Sequence, residues 1–111
     1  MQKELRLFRT KNGKEPFAKW LASVKDTVTK AHIKNRLNRL MLGHNRDIKS
    51  VGDGVFELRI HYGAGYRIYI AEQDKSIILL LIGGSKRTQE RDIIKAKKFW
   101  QEFQENLNEQ K

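Results

Sequence analysis

Apolar residues recur along this chain with two periods, and the change from one to the other lays out its elements. Across residues 2–9, Leu5 and Leu7 alternate with Glu4, Arg6 and Phe8, which predicts a short strand. Lys11-Asn12-Gly13-Lys14 is turn chemistry. Pro16 can open a helix, because the amide it lacks has no partner in a first turn. From there Phe17, Trp20, Leu21 and Val24 fall at i, i+3, i+4 and i+7, one apolar stripe. A second helix is expected from about Thr27 to Leu42. Its inward stripe is Ile33, Leu37, Leu40 and Met41, with Gly43 as the left-handed C-cap.

The period then shortens to two. Residues 43–54 are polar and glycine-bearing, with a brief strand expected at Ile48–Val51. From Val55 to Tyr62 the alternation is strict: Phe56, Leu58, Ile60 and Tyr62 face one way, Glu57, Arg59 and His61 the other. Gly63-Ala64-Gly65 turns the chain. Tyr66, Ile68 and Ile70 then share the core face, with Arg67 and Tyr69 opposite. Residues 77–82 are apolar throughout, the pattern of a strand covered on both faces. Thr88 can cap a last helix, with Glu90 and Asp92 at its positive end and Ile93, Ala96, Trp100, Phe103 and Leu107 as its stripe. The expected fold is one α+β domain over residues 1–111: an N-terminal strand, a two-helix hairpin, an antiparallel three- to four-stranded meander and a C-terminal helix. The helices are expected to group on one side of the sheet.

Composition trims the function classes. The chain's 111 residues suit one domain. The longest apolar run is Ile77–Ile82, far below the ~20 residues that cross a bilayer. The N-terminus mixes charge with apolar residues where a secretory signal needs an unbroken apolar stretch, so a cytoplasmic location is expected. There is no cysteine, which excludes disulfides, thiolate zinc sites and cysteine nucleophiles. His32, His44 and His61 have no spacing that assembles a metal site on one element, and no cofactor is expected. The net charge is +10 and uneven: residues 1–50 hold 13 Lys and Arg against 4 acidic residues, the remainder 10 against 9. Such a basic half attracts nucleic acid first and an acidic protein second. Lys30, Lys34, Arg36 and Arg39, on the flanks and far side of the second helix, are the candidate RNA contacts there.

The candidate chemistry lies on the polar side of the meander. Glu57, Arg59, His61, Arg67 and Tyr69 share it, and the loop Gly83–Thr88 adds Lys86 and Arg87. Cations are unfavourable near a helix N-terminus, so a pair placed there argues for a ligand. Arginines bind phosphodiester oxygens in bidentate fashion and stabilise the added negative charge of the transition state. Imidazole or phenolate can take a 2′-hydroxyl proton, and a cationic group can protonate the leaving 5′-oxygen. That set suits metal-free RNA cleavage through a 2′,3′-cyclic phosphate. The same alternation also describes an ordinary solvated sheet face with Glu57 and Arg59 as a surface ion pair. Gly83-Gly84 is too short to mark a phosphate loop.

The run Val55-Phe56-Glu57-Leu58-Arg59-Ile60, then Gly65-Tyr66-Arg67-Ile68-Tyr69, then Gly83-Gly84-Ser85-Lys86-Arg87-Thr88-Gln89 with Asp92, Ile93 and Ala96, resembles the RelE/ParE toxin superfamily. Within it the chain is similar to the phage-related HigB-type addiction module killer proteins. Phe17, Trp20, Leu21, Arg36, Leu37, Leu40 and Gly43 fit as well, so the resemblance covers residues 3–105. It implies a RelE-like domain that is the toxin of a type II toxin–antitoxin system: an mRNA endoribonuclease that works on the ribosome and inhibits translation. The implied partner is a cognate antitoxin, a helix-turn-helix HigA-like protein through which the complex binds operator DNA. By position, Arg59 and Arg67 match the strand residues that contact the scissile phosphate, and Lys86 and Arg87 match the basic pair before the last helix. The chain departs from the pattern in three places. Residues 88–111 hold neither the tyrosine nor the histidine that RNA-cleaving relatives often carry; Glu57 stands near a position often occupied by lysine; Ser85 stands where many killer proteins have aspartate. His61 and Tyr69 are then the proton-transfer candidates. Two other readings stay open, a ParE-like inhibitor of DNA gyrase and a non-catalytic nucleic-acid-binding partner in an autorepressor complex.

Overall fold

Four strands joined by short connections build most of the sheet, and the turn chemistry explains their pairing. In the computed structural model, which describes residues 2–44 and 47–109, Asp53 and Gly54 both take positive φ, 56° and 83°. That geometry matches the twist of a two-residue hairpin and joins β2 (Ile48–Gly52) to β3 (Val55–Ile60). β4 (Tyr66–Asp74) and β5 (Ile77–Gly84) continue the antiparallel meander. β1 (Glu4–Leu7) joins parallel to β5, after the chain has passed through α1 (Pro16–Ser23) and α2 (Thr27–Met41). Among the described residues the sheet therefore has five strands in the order β1-β5-β4-β3-β2 and is mixed: the meander has four antiparallel strands, and the expected N-terminal strand joins its β5 edge in parallel.

The helices start where their sequences direct. Pro16 opens α1, and Asp26 caps α2 by accepting from the Val28 N–H at 3.3 Å and from Thr29 Oγ1 at 2.7 Å. Both pack on one sheet face, burying Phe17, Ile33, Leu37 and Leu40 against Leu58, Ile60, Ile68, Ile70, Ile78 and Leu80. Among the described residues no helix is long and apolar enough to cross a membrane.

The last helix corrects the expectation that all helices share a side. α3 (Gln89–Glu109), preceded by a single 3₁₀ turn at Lys86–Thr88, lies across the opposite face. The reason is the second apolar surface of the sheet. Phe8, Val55, Tyr69, Ala71, Leu79 and Leu81 point away from α1 and α2, and the stripe of Ala96, Phe99 and Trp100 covers them. Gly83 and Gly84 allow both layers to close on the end of β5. A Cβ on Gly83 would lie 2.2 Å from the Trp20 ring of α1, and one on Gly84 would lie 1.8 Å from Asp92 Oδ2 of α3. Close approach, rather than phosphate binding, accounts for this glycine pair.

Candidate functional site

α3 covers only part of its face, and its N-terminal turn ends over the middle of the β3–β4 pair. Register places Glu57 opposite Tyr69 and, one row further along, Arg59 opposite Arg67, which in turn pairs with Gly84. The first row lies under the helix. The second lies at its margin, where Arg59 keeps 40% of its side chain exposed while Arg67 keeps 9%.

Glu57 is the centre of the arrangement. It is fully buried, and every polar group around its carboxylate is a donor. Arg59 Nε donates to Oε1 at 3.3 Å; Tyr69 Oη and Gln89 Nε2 donate to Oε2 at 3.1 and 2.8 Å. Arg67 Nε stands 3.5 Å from the same Oε2, an ion pair without hydrogen-bond geometry, and Arg67 Nη1 donates to the Gly65 carbonyl at 2.9 Å. Burial alone would push the Glu57 carboxyl up. The bonds from Gln89, Arg59 and Tyr69, with the charge of Arg67, outweigh it and hold the group below its ordinary value. An ionised carboxylate only accepts hydrogen bonds, so this donor-lined pocket suits the anion.

The candidate residues fall into three groups. Arg59, Arg67, Lys86 and Arg87 come to one end of the sheet: Lys86 Cβ lies 3.6 Å from where a side chain on Gly65 would begin, and both 3₁₀-turn cations are exposed. His61 follows β3 at the same end, exposed, with Nε2 at 3.3 Å from Asp47 Oδ1. Tyr69 differs from its expected place on an open face. It is wholly buried, and burial together with the Glu57 anion raises its phenol far above its ordinary value, so it is held neutral as a donor. Lys30, Lys34 and Arg39 sit on α2, across the sheet from this end. Arg36 of the same helix is buried rather than presented to a ligand: its Nη1 donates to the His44 carbonyl at 3.5 Å, and burial and the nearby Arg39 lower its pKa.

No family model matches the chain. Over 87 residues it is 49% identical to an uncharacterized protein of Haemophilus influenzae, a match taking in 78% of this chain and 88% of that protein. The chain belongs to that protein's family. The relative is itself uncharacterized, so for this family the side-chain arrangement is what bears on chemistry.

The arrangement can bind an anion. Arg59 engages Glu57 through Nε rather than through its two terminal nitrogens, on a side chain that stays 40% exposed, and bidentate phosphate binding can use those two nitrogens. Lys86, near Gly65 and Arg67, and Arg87 on the same 3₁₀ turn add charge at this end of the sheet. Among the described residues no group of three His, Asp or Glu side chains is placed to hold a metal ion. Two contributors lie outside the candidate site residues read from the sequence: Gln89, and Asp92, there an acid of the last helix's first turn, which accepts from Thr88 Oγ1 at 2.5 Å and fixes the turn carrying Lys86 and Arg87. The readable signal for Gln89 was its place one residue after the cap, on the first turn of a helix that had to cover Leu79 and Leu81.

Proposed function

We propose that this protein is a RelE-like, HigB-type toxin of a type II toxin–antitoxin system, a cytoplasmic endoribonuclease that cuts mRNA on the translating ribosome. The observation carrying this reading is the grouping of Arg59, Arg67 and Lys86 at one end of the sheet, with the Arg59 fork exposed and a buried carboxylate behind it. In the proposed reaction Arg59 and Lys86 hold the scissile phosphate and stabilise the charge that grows on its oxygens. Arg67, enclosed between Glu57 and the Gly65 carbonyl, contributes field rather than direct contact. His61 combines exposure with an imidazole nitrogen that can accept the 2′-hydroxyl proton. The 2′-oxygen then bonds to phosphorus as the bond to the 5′-oxygen breaks, giving a 2′,3′-cyclic phosphate, and a cationic group of this basic end protonates the leaving 5′-oxygen. The ribosome supplies the in-line orientation of the mRNA, which lowers the barrier without further groups from the toxin. An antitoxin of the helix-turn-helix HigA-like kind would silence the protein by covering this basic end, and would carry the complex to operator DNA.

A second reading rests on the burial of Tyr69. With the phenol enclosed and Glu57 saturated by donors, the site is better furnished for binding than for proton transfer. That favours a ParE-like gyrase inhibitor or a non-catalytic nucleic-acid-binding partner as the alternative.

Mapping the 5′ and 3′ ends of a reporter mRNA, with and without translating ribosomes, separates them. Cuts that require ribosomes and disappear in Arg59→Ala support the toxin reading. Growth arrest with intact mRNA and damaged DNA moves the assignment to gyrase.

A further inference from the structure

Glu57 and Gln89 have no part in the reaction just described, yet they belong to the best-connected polar cluster among the described residues. A single carboxylate there touches three elements: β3 through Arg59, β4 through Arg67 and Tyr69, and α3 through Gln89. Removing charges from water is costly, and apolar residues in place of the whole cluster would fill this part of the Val55 and Ala96 layer at less cost. The cluster therefore needs a purpose beyond holding the sheet to the helix.

The geometry supplies one. Arg59 and Arg67 are direct cross-strand partners, and two like charges so placed repel. Glu57 offsets that repulsion from below and takes Arg59 by Nε, the one nitrogen of the guanidinium that bidentate phosphate binding with the outer edge does not use. Gln89 reaches the same carboxylate from the helix, immediately after the turn that carries Lys86 and Arg87. The distance between the sheet cation and the turn cations is thus set through one short chain: Arg59 to Glu57, Glu57 to Gln89, Gln89 to the 3₁₀ turn.

We propose that Glu57 and Gln89 are positioning residues for a phosphodiester held between Arg59 and Lys86, an assignment that rests on the toxin reading above. Glu57 aims the Arg59 fork outward. Gln89 locks the turn to the sheet so that Arg59 and Lys86 meet one phosphate together. Neither touches the ligand.

The test uses the full chain and a non-cleavable 2′-O-methyl oligoribonucleotide. Binding is followed by fluorescence anisotropy, and the Arg59 Nε–H signal by ¹⁵N NMR. In Gln89→Ala the cations remain, but affinity should fall about tenfold and the Arg59 Nε–H signal should move and exchange faster with water. Gln89→Glu would place a second carboxylate against Glu57 and should weaken binding at least as much. In an Arg59→Ala background the Gln89→Ala change should cost almost nothing further, because the fork it helps to aim is gone. Equal losses in the two backgrounds, or an unmoved Arg59 signal, overturn the proposal. Circular dichroism and thermal melting of each variant separate misfolding from mispositioning. For Glu57, should Glu57→Gln melt, the same readouts on Tyr69→Phe, which removes one donor to that carboxylate, carry the test. Failure of the toxin reading shows elsewhere: wild-type protein that binds the oligoribonucleotide with a shifted Arg59 signal, yet leaves translated mRNA uncut.

Discussion

The two faces of the sheet are built by the same strands and solve burial in opposite ways. On the α1–α2 side the inward residues of β3, β4 and β5 are Leu58, Ile60, Ile68, Ile70, Ile78 and Leu80, an apolar layer throughout. On the α3 side the far half is equally apolar, with Val55, Ala71, Leu79 and Leu81, whereas the near half buries Glu57, Arg67, Tyr69 and Asp92. One face can be understood from packing alone. The other combines packing with a charged cluster that stabilises the native state only while every member has its partner. The contrast separates residues that make the domain stable from residues that, in the function proposed above, make one end of it a site for anions.

The first way to break this comparison is to empty the apolar face. Ile33 is wholly buried, and Ile33→Ala should cost about 4 kcal/mol in urea denaturation, near the top of the usual range for such a truncation. A loss under about 1 kcal/mol would mean that α2 contributes little to the core. Next comes the charged cluster. Glu57→Gln leaves Arg67 buried without its counter-charge and should cost about 3 kcal/mol at neutral pH. Its pH dependence sharpens the point. Because the folded Glu57 carboxyl is held below its ordinary value, the stabilisation it gives is full above that value and is lost as pH falls through the lower folded one. The gap between wild type and Glu57→Gln should therefore narrow below about pH 4, and a constant gap would contradict the donor-stabilised anion.

A smaller effect is expected where the two faces meet. Gly84→Ala pushes a methyl group into Asp92 and should cost about 2 kcal/mol. Asp92→Ala in the same chain should recover part of that, a non-additive pair measurable by a double-mutant cycle. Lys86→Ala should be the mildest. The side chain is exposed, and stability should stay within about 0.5 kcal/mol of wild type while growth arrest is lost. An unfolded or fully toxic Lys86→Ala would erase the distinction between the stable and the selective parts.

Much of the architecture was readable from periodicity. The stripes of α1, α2 and α3 and the alternation of β3 and β4 stand where the apolar spacing puts them, because burying a face needs that spacing, except that Leu107 at the end of the α3 stripe is exposed. The position of α3 was not, since Ile93, Ala96 and Trp100 show that the helix must cover something without showing which side. The doubly apolar run of β5 held the clue: Leu79 and Leu81 require a second layer, and the only unassigned stripe was the last helix. The parallel pairing of β1 with β5 was equally hidden, because strand partners far apart in sequence leave no local pattern. At the site, Arg59, Arg67, Lys86 and Arg87 could be gathered from alternation and loop placement. The burial of Tyr69, the fit of Gln89 onto Glu57 and the enclosure of Arg36 could not, for each depends on which side chain crosses from another element.

The pairing of Glu4 with Ile77 gives β1 a role in the timing of assembly. As the chain leaves the ribosome during its own synthesis, β1 emerges first and has no strand to join until β5 has followed. Lys86 and Gln89 come later still, so the cations and the strut that orients them form together only after the whole sheet has been made. Until residues 86–89 have been made, the Glu57 cluster cannot close on the helix, and a partner that captures the chain before β5 docks would meet a protein in which the cations of the proposed site are not yet gathered.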